Sequence, residues 1–388
     1  MRIIYISFIN ESIRPGYVKK IYSQSKSFYN NGLETWLISR ESECFKLISF
    51  SKNNSIEEKR TNIDSTGKGL SKYINYITAL SKFLRFSYDI IKEIQPDAVY
   101  IRRIRPITPV MLRYIKKMKK DGILVFYEYP TYPWKEEYIC SKQYLSLIID
   151  SIFWRGLQRN ISALVCMGKC EKKTCDVIET MNGIDVSSIS SRSITRFDNV
   201  NEVNMICVCH YSVVHGIEKV VKGMAEYYSV ERSCTFKLHL VGPIEGFESL
   251  KRTVDISGLS KYVLFYGFKT GGELDQIYEQ ANIGLDAIAL EIRGEKCICG
   301  SLKSREYILK GIPFVCSDML DIVCANKNVP GFMYVMSHKE DALNIEKVVN
   351  WYLNGDFDTE EIQAYGRNTL SWEKTMLPVV EYCINNKI

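Results

Sequence analysis

The chain of 388 residues is 46% hydrophobic and 25% charged, which is typical of a globular protein and argues against intrinsic disorder. Single hydrophobic cores rarely grow beyond about 250–300 residues, so the length predicts two domains. The net charge of +6 is unevenly distributed, since residues 1–185 hold 30 Lys and Arg against 19 Asp and Glu, whereas residues 186–388 hold 21 against 26. A basic half suits a polyanionic acceptor or an anionic membrane surface, although solvated helix faces would give the same count.

No sequence window approaches the roughly 18 apolar residues of a membrane span. The apolar run at Arg2–Ser7 is more typical of a buried strand than of a secretory signal. We therefore expect a cytoplasmic protein, either soluble or peripheral at the inner face of the cytoplasmic membrane. The 13 cysteines are then expected to be free thiols. The pairs Cys207/Cys209 and Cys297/Cys299 have no partner pair at ligand spacing, so no metal site is predicted.

Short apolar runs alternate with helical stretches in both halves of the chain, which predicts parallel sheets covered by helices. The polar segment 41–75 has little periodicity and is predicted to be a surface loop or a mobile segment near the acceptor. Within it, Ser65–Gly69 only partly matches a P-loop and follows no clear strand. The predicted strands are Arg2–Ser7, Thr35–Ser39, Ala98–Arg102, Ile123–Tyr129 and Ala163–Met167 in the first half, and Asn204–Cys209, Thr235–Val241, Val263–Tyr266, Ile283–Ala287, Pro313–Cys316 and Phe332–Val335 in the second.

Candidate ligand groups follow three strands of the first half. Open α/β sheets bind ligands at the carboxyl ends of their strands, and Gly16, Arg102, Arg103 and Glu128 are expected there. A glycine lets the backbone approach a phosphate or sugar closely, and the aromatic residues after Glu128 offer flat faces that suit sugars. Glu128 could equally be a carboxylate bonded to neighbouring backbone. The arginines lack the stacking-aromatic pattern of RNA-binding modules, so no nucleic-acid partner is expected.

Two helices of the first half bear on membrane association. The helix at about 144–159 is amphipathic, and its apolar side is expected to pack on the core rather than to enter a membrane. This side consists of Leu145, Ile148, Ile149, Ile152 and Phe153. A preceding helix places most of its bases on an outer face, where binding to an anionic membrane competes with plain solvation. These bases are Arg113, Lys116, Lys117, Lys119 and Lys120.

The stretch Ser301–Val315 predicts a helix start, a glycine stop and a short buried strand. A helix start presents unpaired N–H groups and the positive end of the helix dipole, so a diphosphate is favoured at Ser301, Leu302 and Lys303. Glu306, further into the helix, can accept hydrogen bonds from ribose hydroxyls. An ordinary strand-to-helix corner is the alternative interpretation.

This stretch resembles the nucleotide-sugar site of retaining glycosyltransferases of the family 4 type. The segment Glu128–Pro133 resembles an element of their capsule and lipopolysaccharide branches, which implies that Glu128 is a catalytic residue pointing into the cleft toward the reacting sugar. Asn182–Asp185 resembles the tetrapeptide that closes their N-terminal domain. The resemblance implies the GT-B fold, with two Rossmann-like α/β domains facing across a cleft and a C-terminal helix crossing back to the first domain. The implied boundaries are an acceptor domain at 1–186, a linker at 187–202, a nucleotide-sugar domain at 203–371 and a crossing segment at 372–388.

The resemblance also assigns donor-side residues, with two departures from the family pattern. His210 and His215 occupy the positions where the family has an Arg and a Lys that contact the donor diphosphate, and Glu306 matches the second of two glutamates. The first glutamate is replaced by Ile298, which leaves the sugar specificity open. Further donor-side candidates are Arg293 and Lys303 at the diphosphate, and Gly242 and Phe268 at the nucleotide.

The implied function is metal-independent transfer of a sugar from a UDP- or GDP-linked donor to a glycan or lipid-linked acceptor in bacterial surface polysaccharide synthesis. The nucleotide sugar is a co-substrate, and no further cofactor is expected. Asp356 and Asp358 form an Asp-x-Asp, which we interpret as a helix cap rather than a metal site. The alternatives are a nucleotide-sugar epimerase of the same fold and a non-catalytic binding or scaffold subunit, which the Ile298 replacement would favour.

Overall fold

The computed structural model describes residues 1–11, 15–42, 44–51, 57–62, 71–170, 174–188, 201–294, 298 and 300–386. It divides into two compact units, of which unit 1 comprises Met1–Gly183 with Trp372–Ile388 and unit 2 comprises Ile184–Ser371. Each unit contains one sheet flanked by helices. The P-loop-like segment 65–69 and most of the predicted linker lie outside the described residues.

Unit 1 is built on an eight-stranded sheet in the order β4-β3-β2-β1-β5-β6-β7-β8. Alternate residues of its first strand enter different cores, because successive side chains of a strand point to opposite faces. Ile4 and Ile6 join one core, whereas Ile3 and Tyr5 join the other. The strands are β1 (Arg2–Asn10), β2 (Glu34–Arg40), β3 (Cys44–Ser49), β4 (Glu57–Asn62), β5 (Ala98–Arg102), β6 (Leu124–Tyr129), β7 (Ala163–Met167) and β8 (Asp176–Thr180). All five strands predicted in this half are present.

The prediction of a surface loop at 41–75 is wrong, because this segment contains two strands and the start of a helix. β3 pairs antiparallel with β2, with Trp36 opposite Ser49, and β4 pairs antiparallel with β3. Antiparallel strands near a sheet edge need no continuous apolar run, and this weakens their sequence signal. The edge strand β8 escaped prediction as well, and it pairs parallel with β7.

The helices of unit 1 are α1 (Pro15–Asn30), α2 (Ser71–Ile94), α3 (Pro109–Lys120), α4 (Trp134–Cys140), α5 (Tyr144–Gln158) and α13 (Trp372–Asn385). The C-terminal helix returns to this unit as predicted, and its apolar side joins the core beside α1. Among the described residues, no helix is both long and apolar enough to cross a membrane.

The expectation that the apolar side of α5 packs on the core is wrong for most of that side. Leu145, Ile148 and Ile152 are 65%, 57% and 67% exposed, whereas Phe153 packs against the core. The helix is held by a different side, where Gly156 lies against Leu112 of α3. The five bases of α3 are exposed as predicted, so a basic helix and an apolar stripe are neighbours on unit 1.

Unit 2 is built on a six-stranded parallel sheet in the order β11-β10-β9-β12-β13-β14. All six strands predicted in this half are present, with ends that differ by at most two residues. They are β9 (Glu202–Val208), β10 (Thr235–Val241), β11 (Val263–Phe265), β12 (Ile283–Leu285), β13 (Phe314–Ser317) and β14 (Met333–Met336). The helices are α6 (Ile217–Tyr227), α7 (Glu248–Ile256), α8 (Gly271–Gln280), α9 (Leu302–Lys310), α10 (Asp321–Ala325), α11 (Ile345–Asn354) and α12 (Thr359–Tyr365).

The Asp358 side chain caps α12 by accepting from Glu360 N at 3.1 Å, as predicted.

Candidate functional site

The candidate site lies at the carboxyl edge of the unit 2 sheet. β9 and β12 are parallel neighbours, with Ile206 opposite Gly284, so their carboxyl ends emerge side by side. The loop Cys209–Gly216 follows β9, Asp286 follows β12, and the start of α9 meets both. This edge is where open parallel sheets bind ligands.

Lys303 connects the three segments. Its Nζ lies 2.9 Å from His215 Nδ1 and 3.5 Å from Asp286 Oδ1. The other ring nitrogen of His215, Nε2, lies 3.1 Å from the carbonyl oxygen of His210 and donates to it. The predicted diphosphate residues Lys303, His215 and His210 are therefore brought together, although His210 takes part through its backbone.

Asp286, to which the sequence pattern assigned no role, lies directly after β12. It is fully buried, and its Oδ1 accepts from the Ala287 N–H at 2.7 Å. Within the described part of the chain, Oδ2 has no hydrogen-bond partner, which leaves Lys303 as the cation that compensates the carboxylate. An acidic residue near the carboxyl end of the predicted strand Ile283–Ala287 was the signal that could have identified it.

Two glycines determine the course of the loops at this edge. Gly216 has a φ of +67°, a left-handed conformation that favours glycine, and it connects His215 to the start of α6. A Cβ at Gly242 would lie 1.9 Å from the carbonyl oxygen of Cys209, so only glycine allows the ends of β10 and β9 to approach this closely. This close approach explains the glycine, and the role predicted for Gly242 at the nucleotide stays a prediction.

The start of α9 is fixed from both sides. The Ser301 side chain accepts from Lys303 N at 3.1 Å and caps the helix. One turn later Arg305 forms a buried bidentate pair with Asp321, at 2.9 and 2.6 Å. This ion pair fixes the orientation of α9. It therefore also fixes the direction of the backbone N–H groups at the helix start, beside Leu302.

The remaining donor-side candidates lie around this edge. Glu306 is half-buried and hydrogen-bonds Tyr278 of α8. Arg293 ends the helical turn after β12, and Ile298 lies in the connection that leads to α9. Phe268 follows β11 and is exposed, which leaves an aromatic face available to a ligand.

Two neighbouring thiols, Cys207 and Cys209, lie at the same edge, although the sequence pattern did not assign them to a ligand site. The Cys207 thiol donates to the Cys209 sulfur across 3.7 Å. This bond, together with the neighbouring His215 ring and the charge of Lys303, lowers the pKa of Cys209 to about 5 in spite of its burial. The same bond and burial raise the pKa of Cys207 well above its ordinary value.

Two of the unit 1 candidates, Arg102 and Glu128, belong to a buried ionic cluster at the ends of β5 and β6. Glu128 is 0% exposed, and it accepts from Arg102 Nη1 at 2.8 Å, Tyr100 Oη at 2.9 Å and Gln24 Nε2 at 3.0 Å. Lys20 Nζ lies 3.8 Å away. Burial raises the pKa of Glu128, but the charges of Arg102 and Lys20 and the hydrogen bonds outweigh it, so the pKa lies below its ordinary value. The carboxylate is bonded to side chains rather than to backbone.

Arg103 and Gly16 are placed differently from this cluster. Arg103 donates to Glu137 at 2.7 Å and lies over the ring of Tyr129, with 4.6 Å between its guanidinium carbon and the ring centre. Gly16 belongs to the first turn of α1. The roles predicted for these residues at an acceptor stay predictions.

Among the described residues, no group of three or more His, Cys, Asp or Glu side chains is arranged to hold a metal ion. The ten cysteines whose side chains are described carry free thiols.

No protein-family model matches the sequence, and no curated protein matches it. Solved structures are similar over nearly the whole chain. Sucrose-phosphate synthase from Thermosynechococcus elongatus is 13% identical with a TM-score of 0.66, and 99% of this chain aligns with 98% of that one. HepE from Anabaena in complex with UDP is 11% identical with a TM-score of 0.61, covering 99% and 100% of the two chains. WaaB, a lipopolysaccharide outer core galactosyltransferase, is 12% identical with a TM-score of 0.59 over the full length of both chains. At this identity the likeness concerns the fold, and it confirms the predicted α/β fold of the GT-B type.

Proposed function

We propose that the protein is a retaining glycosyltransferase that moves a sugar from a nucleotide diphosphate to a hydroxyl of a glycan or lipid-linked acceptor in bacterial surface polysaccharide synthesis. The observation that carries the proposal is the meeting of Lys303, His215 and the start of α9 at one sheet edge. Support also comes from structurally similar proteins, since HepE has been solved with UDP and with UDP-glucose.

In the proposed reaction, negative charge develops on the diphosphate as its bond to the sugar breaks. The ammonium of Lys303 and the N–H groups at the start of α9 are preformed donors that can stabilise this charge, with His215 holding Lys303 in place. Arg293 is the second proposed cation. We propose that these groups make a divalent metal unnecessary, and that Glu306 binds the ribose.

The proposal also covers the acceptor-side residues Gly16, Arg102, Arg103 and Glu128. Glu128 as placed has no exposed surface to offer a sugar, so its proposed contribution is to position Arg102 and Lys20. A direct contact between Glu128 and the reacting sugar would require this cluster to open.

The proposal is tested by measuring the melting temperature with UDP-, GDP-, ADP- and CMP-sugars, in magnesium and in EDTA. A ligand present at a hundred times its Kd and binding only the folded state adds about 2.7 kcal/mol to stability. We expect a shift with one nucleotide in both buffers, and its loss in Glu306→Ala. Glu279→Ala, which alters an exposed glutamate on α8, is the matched control and should retain the shift. A shift that requires magnesium would contradict metal independence.

Ile298 at the first-glutamate position favours a second candidate, a subunit that binds nucleotide sugar without transferring it. Sugar release from the shifting nucleotide, followed with and without a hydroxyl acceptor, separates the candidates. Transfer supports the glycosyltransferase, interconversion of the donor sugar without an acceptor supports the epimerase, and binding without either reaction supports the non-catalytic subunit.

We further propose that unit 1 lies against an anionic membrane surface at the inner face of the cytoplasmic membrane. The exposed apolar stripe of α5 lies beside the basic helix α3, with Lys119 of α3 donating to the carbonyl of Arg159 at 2.8 Å. Apolar burial combined with attraction of Lys and Arg to acidic headgroups is how interfacial helices bind.

The membrane proposal is tested by sedimentation with vesicles that contain or lack phosphatidylglycerol. We expect binding to the anionic vesicles only, and weaker binding of the double variant Ile148→Ser/Ile152→Ser. Ile256→Ser removes an isoleucine that is 88% exposed on unit 2 and should bind like the wild type. Equal binding to neutral vesicles, or no binding to either, would contradict the proposal.

A further inference from the structure

Cys207 and Cys209 form a close thiol pair at the end of β9. Their sulfur atoms are 3.7 Å apart, and residues two apart on a strand share a face. A rise of about 3.3 Å per residue places their Cα atoms about 6.6 Å apart, which is near the upper end of the roughly 4.4–6.8 Å that disulfides bridge. The chain bends at Cys209, directly beyond the strand.

The two thiols differ in access and in neighbours. Cys207 is 0% exposed, whereas Cys209 is partly exposed. The Cys209 thiol lies beside the His215 ring, to which Lys303 Nζ donates at 2.9 Å. Hydrogen bonds and positive charge stabilise a thiolate, and the thiolate is the form that oxidants attack. An accessible thiolate beside a second cysteine is the arrangement found in redox-sensing sites.

We propose that Cys207 and Cys209 are a reversible thiol switch that weakens nucleotide binding when oxidised by a hydroperoxide. The Cys209 thiolate takes one oxygen from the peroxide and becomes a sulfenic acid, while the peroxide is reduced to an alcohol, or to water if it is hydrogen peroxide. The Cys207 sulfur then attacks Cys209, an S–S bond forms, the S–O bond breaks, and the hydroxyl leaves as water with the Cys207 proton. Two equivalents of a small thiol reverse the step and are themselves oxidised to a disulfide.

Closure of this bond would change the candidate site. The sulfur atoms must approach from 3.7 Å to about 2.05 Å, which draws Cys209 toward the buried Cys207 and away from His215. The carbonyl of Cys209 has little room to follow, because Gly242 lies against it. We expect the loop that carries His210 and His215 to shift. This consequence for binding rests on the proposed function, whereas the oxidation does not.

The oxidation is tested on the full-length protein by mass spectrometry. Trypsin releases Phe197–Lys219, a peptide that contains both cysteines and no other. After one equivalent of hydrogen peroxide and alkylation, we expect this peptide to have lost two hydrogens instead of gaining two alkyl groups, and dithiothreitol should restore the two thiols.

Cys207→Ser should leave a sulfenic acid that dimedone traps, and Cys209→Ser should leave neither product. Cys316→Ser, at a buried thiol on β13, is the control and should behave like the wild type. A peptide that keeps both thiols while the exposed Cys324 is oxidised would overturn the proposal.

The effect on binding is measured by repeating the nucleotide panel on reduced and oxidised protein. Loss of the nucleotide-induced shift on oxidation, its return with dithiothreitol and its persistence in Cys209→Ser would support the switch. Disulfide formation with an unchanged shift would overturn the regulatory effect. If the reduced protein binds no nucleotide, the proposed function fails and the regulatory effect with it, and the peptide mass then decides the thiol chemistry by itself.

Discussion

The two units differ in how far the charged side chains at their strand ends are compensated by neighbouring groups. In unit 1, the buried Glu128 carboxylate is surrounded by Arg102, Lys20 and neutral donors, so its charge is compensated within the protein. In unit 2, Lys303 contacts another basic side chain, His215, and the buried Asp286 is its acidic neighbour. Among the described residues, one carboxylate oxygen of Asp286 has no hydrogen-bond partner, so this edge is less fully compensated than the Glu128 carboxylate.

We interpret the Glu128 cluster as one that stabilises the fold, and the group around Lys303 as one that is arranged to bind a ligand. A buried, saturated ion pair is costly to break, because the charge left behind has no partner. A lysine held beside a helix start combines a cation with unpaired backbone N–H groups, and this is the arrangement expected of a phosphate site. The comparison predicts that substitutions in unit 1 act on stability, whereas those at the edge of unit 2 act on binding.

The largest effect is expected for Glu128→Ala, which leaves Arg102 and Lys20 buried without their carboxylate. Removing one partner of a buried pair typically costs about 3–5 kcal/mol, and we expect a loss of this size in the free energy of unfolding measured with urea. Glu179→Ala breaks the exposed pair with Lys169 on the same unit and should cost less than about 1 kcal/mol. Equal costs for the two variants would refute the contrast.

The same carboxylate makes stability depend on pH. Because the folded-state pKa of Glu128 lies below its unfolded value of about 4.3, the unfolded chain binds the proton more readily. The contribution is therefore complete above the unfolded pKa and is lost as the pH falls through the folded pKa. Urea unfolding at a series of pH values below 5 should show a smaller decline for Glu128→Gln than for the wild type.

A second prediction concerns Lys303→Ala, which removes the central cation of the unit 2 edge. A hydrogen bond to a charged group contributes about 1.5–3 kcal/mol, so nucleotide affinity should fall by roughly 10- to 100-fold. Lys310→Ala, at the far end of the same helix in a pair with Asp275, is the matched control. Titration calorimetry measures both, and the melting temperatures without ligand report any loss of stability. Unchanged affinity in Lys303→Ala would remove this edge from the candidate site.

The smallest effect is expected for Ser301→Ala, which removes the cap of α9. Loss of an N-cap costs about 1 kcal/mol, so the free energy of unfolding should fall by this amount, and nucleotide affinity should fall only modestly. Ser301→Asp keeps the cap and adds a negative charge at the proposed diphosphate position. We expect it to retain stability and to bind nucleotide more weakly than Ser301→Ala does. The reverse order of affinities would argue against an anion at this helix start.

Much of the architecture followed from local patterns. β-branched and aromatic runs bounded by polar turns located eleven strands, because buried parallel strands require such runs. Serine before a helix and glycine after it located α9. The same rules failed for β3 and β4, whose polar sequences form strands only by pairing with β2, and for α5, whose apolar residues face outward.

The sequence by itself determined the succession of elements, the position of the helix start at Ser301 and the polar residues that follow the strands, since these depend on neighbours along the chain. Only the tertiary structure decided which of these side chains contact one another. Lys303 and His215 are 88 positions apart, and Gln24 and Glu128 are 104 apart. Local sequence cannot tell whether a charged residue at a strand end will be compensated by the protein or left for a ligand, because the compensating groups come from distant strands and helices. In unit 1 the packing of α1 brings Lys20 and Gln24 to Glu128, whereas in unit 2 the start of α9 brings Lys303 to His215 and Asp286.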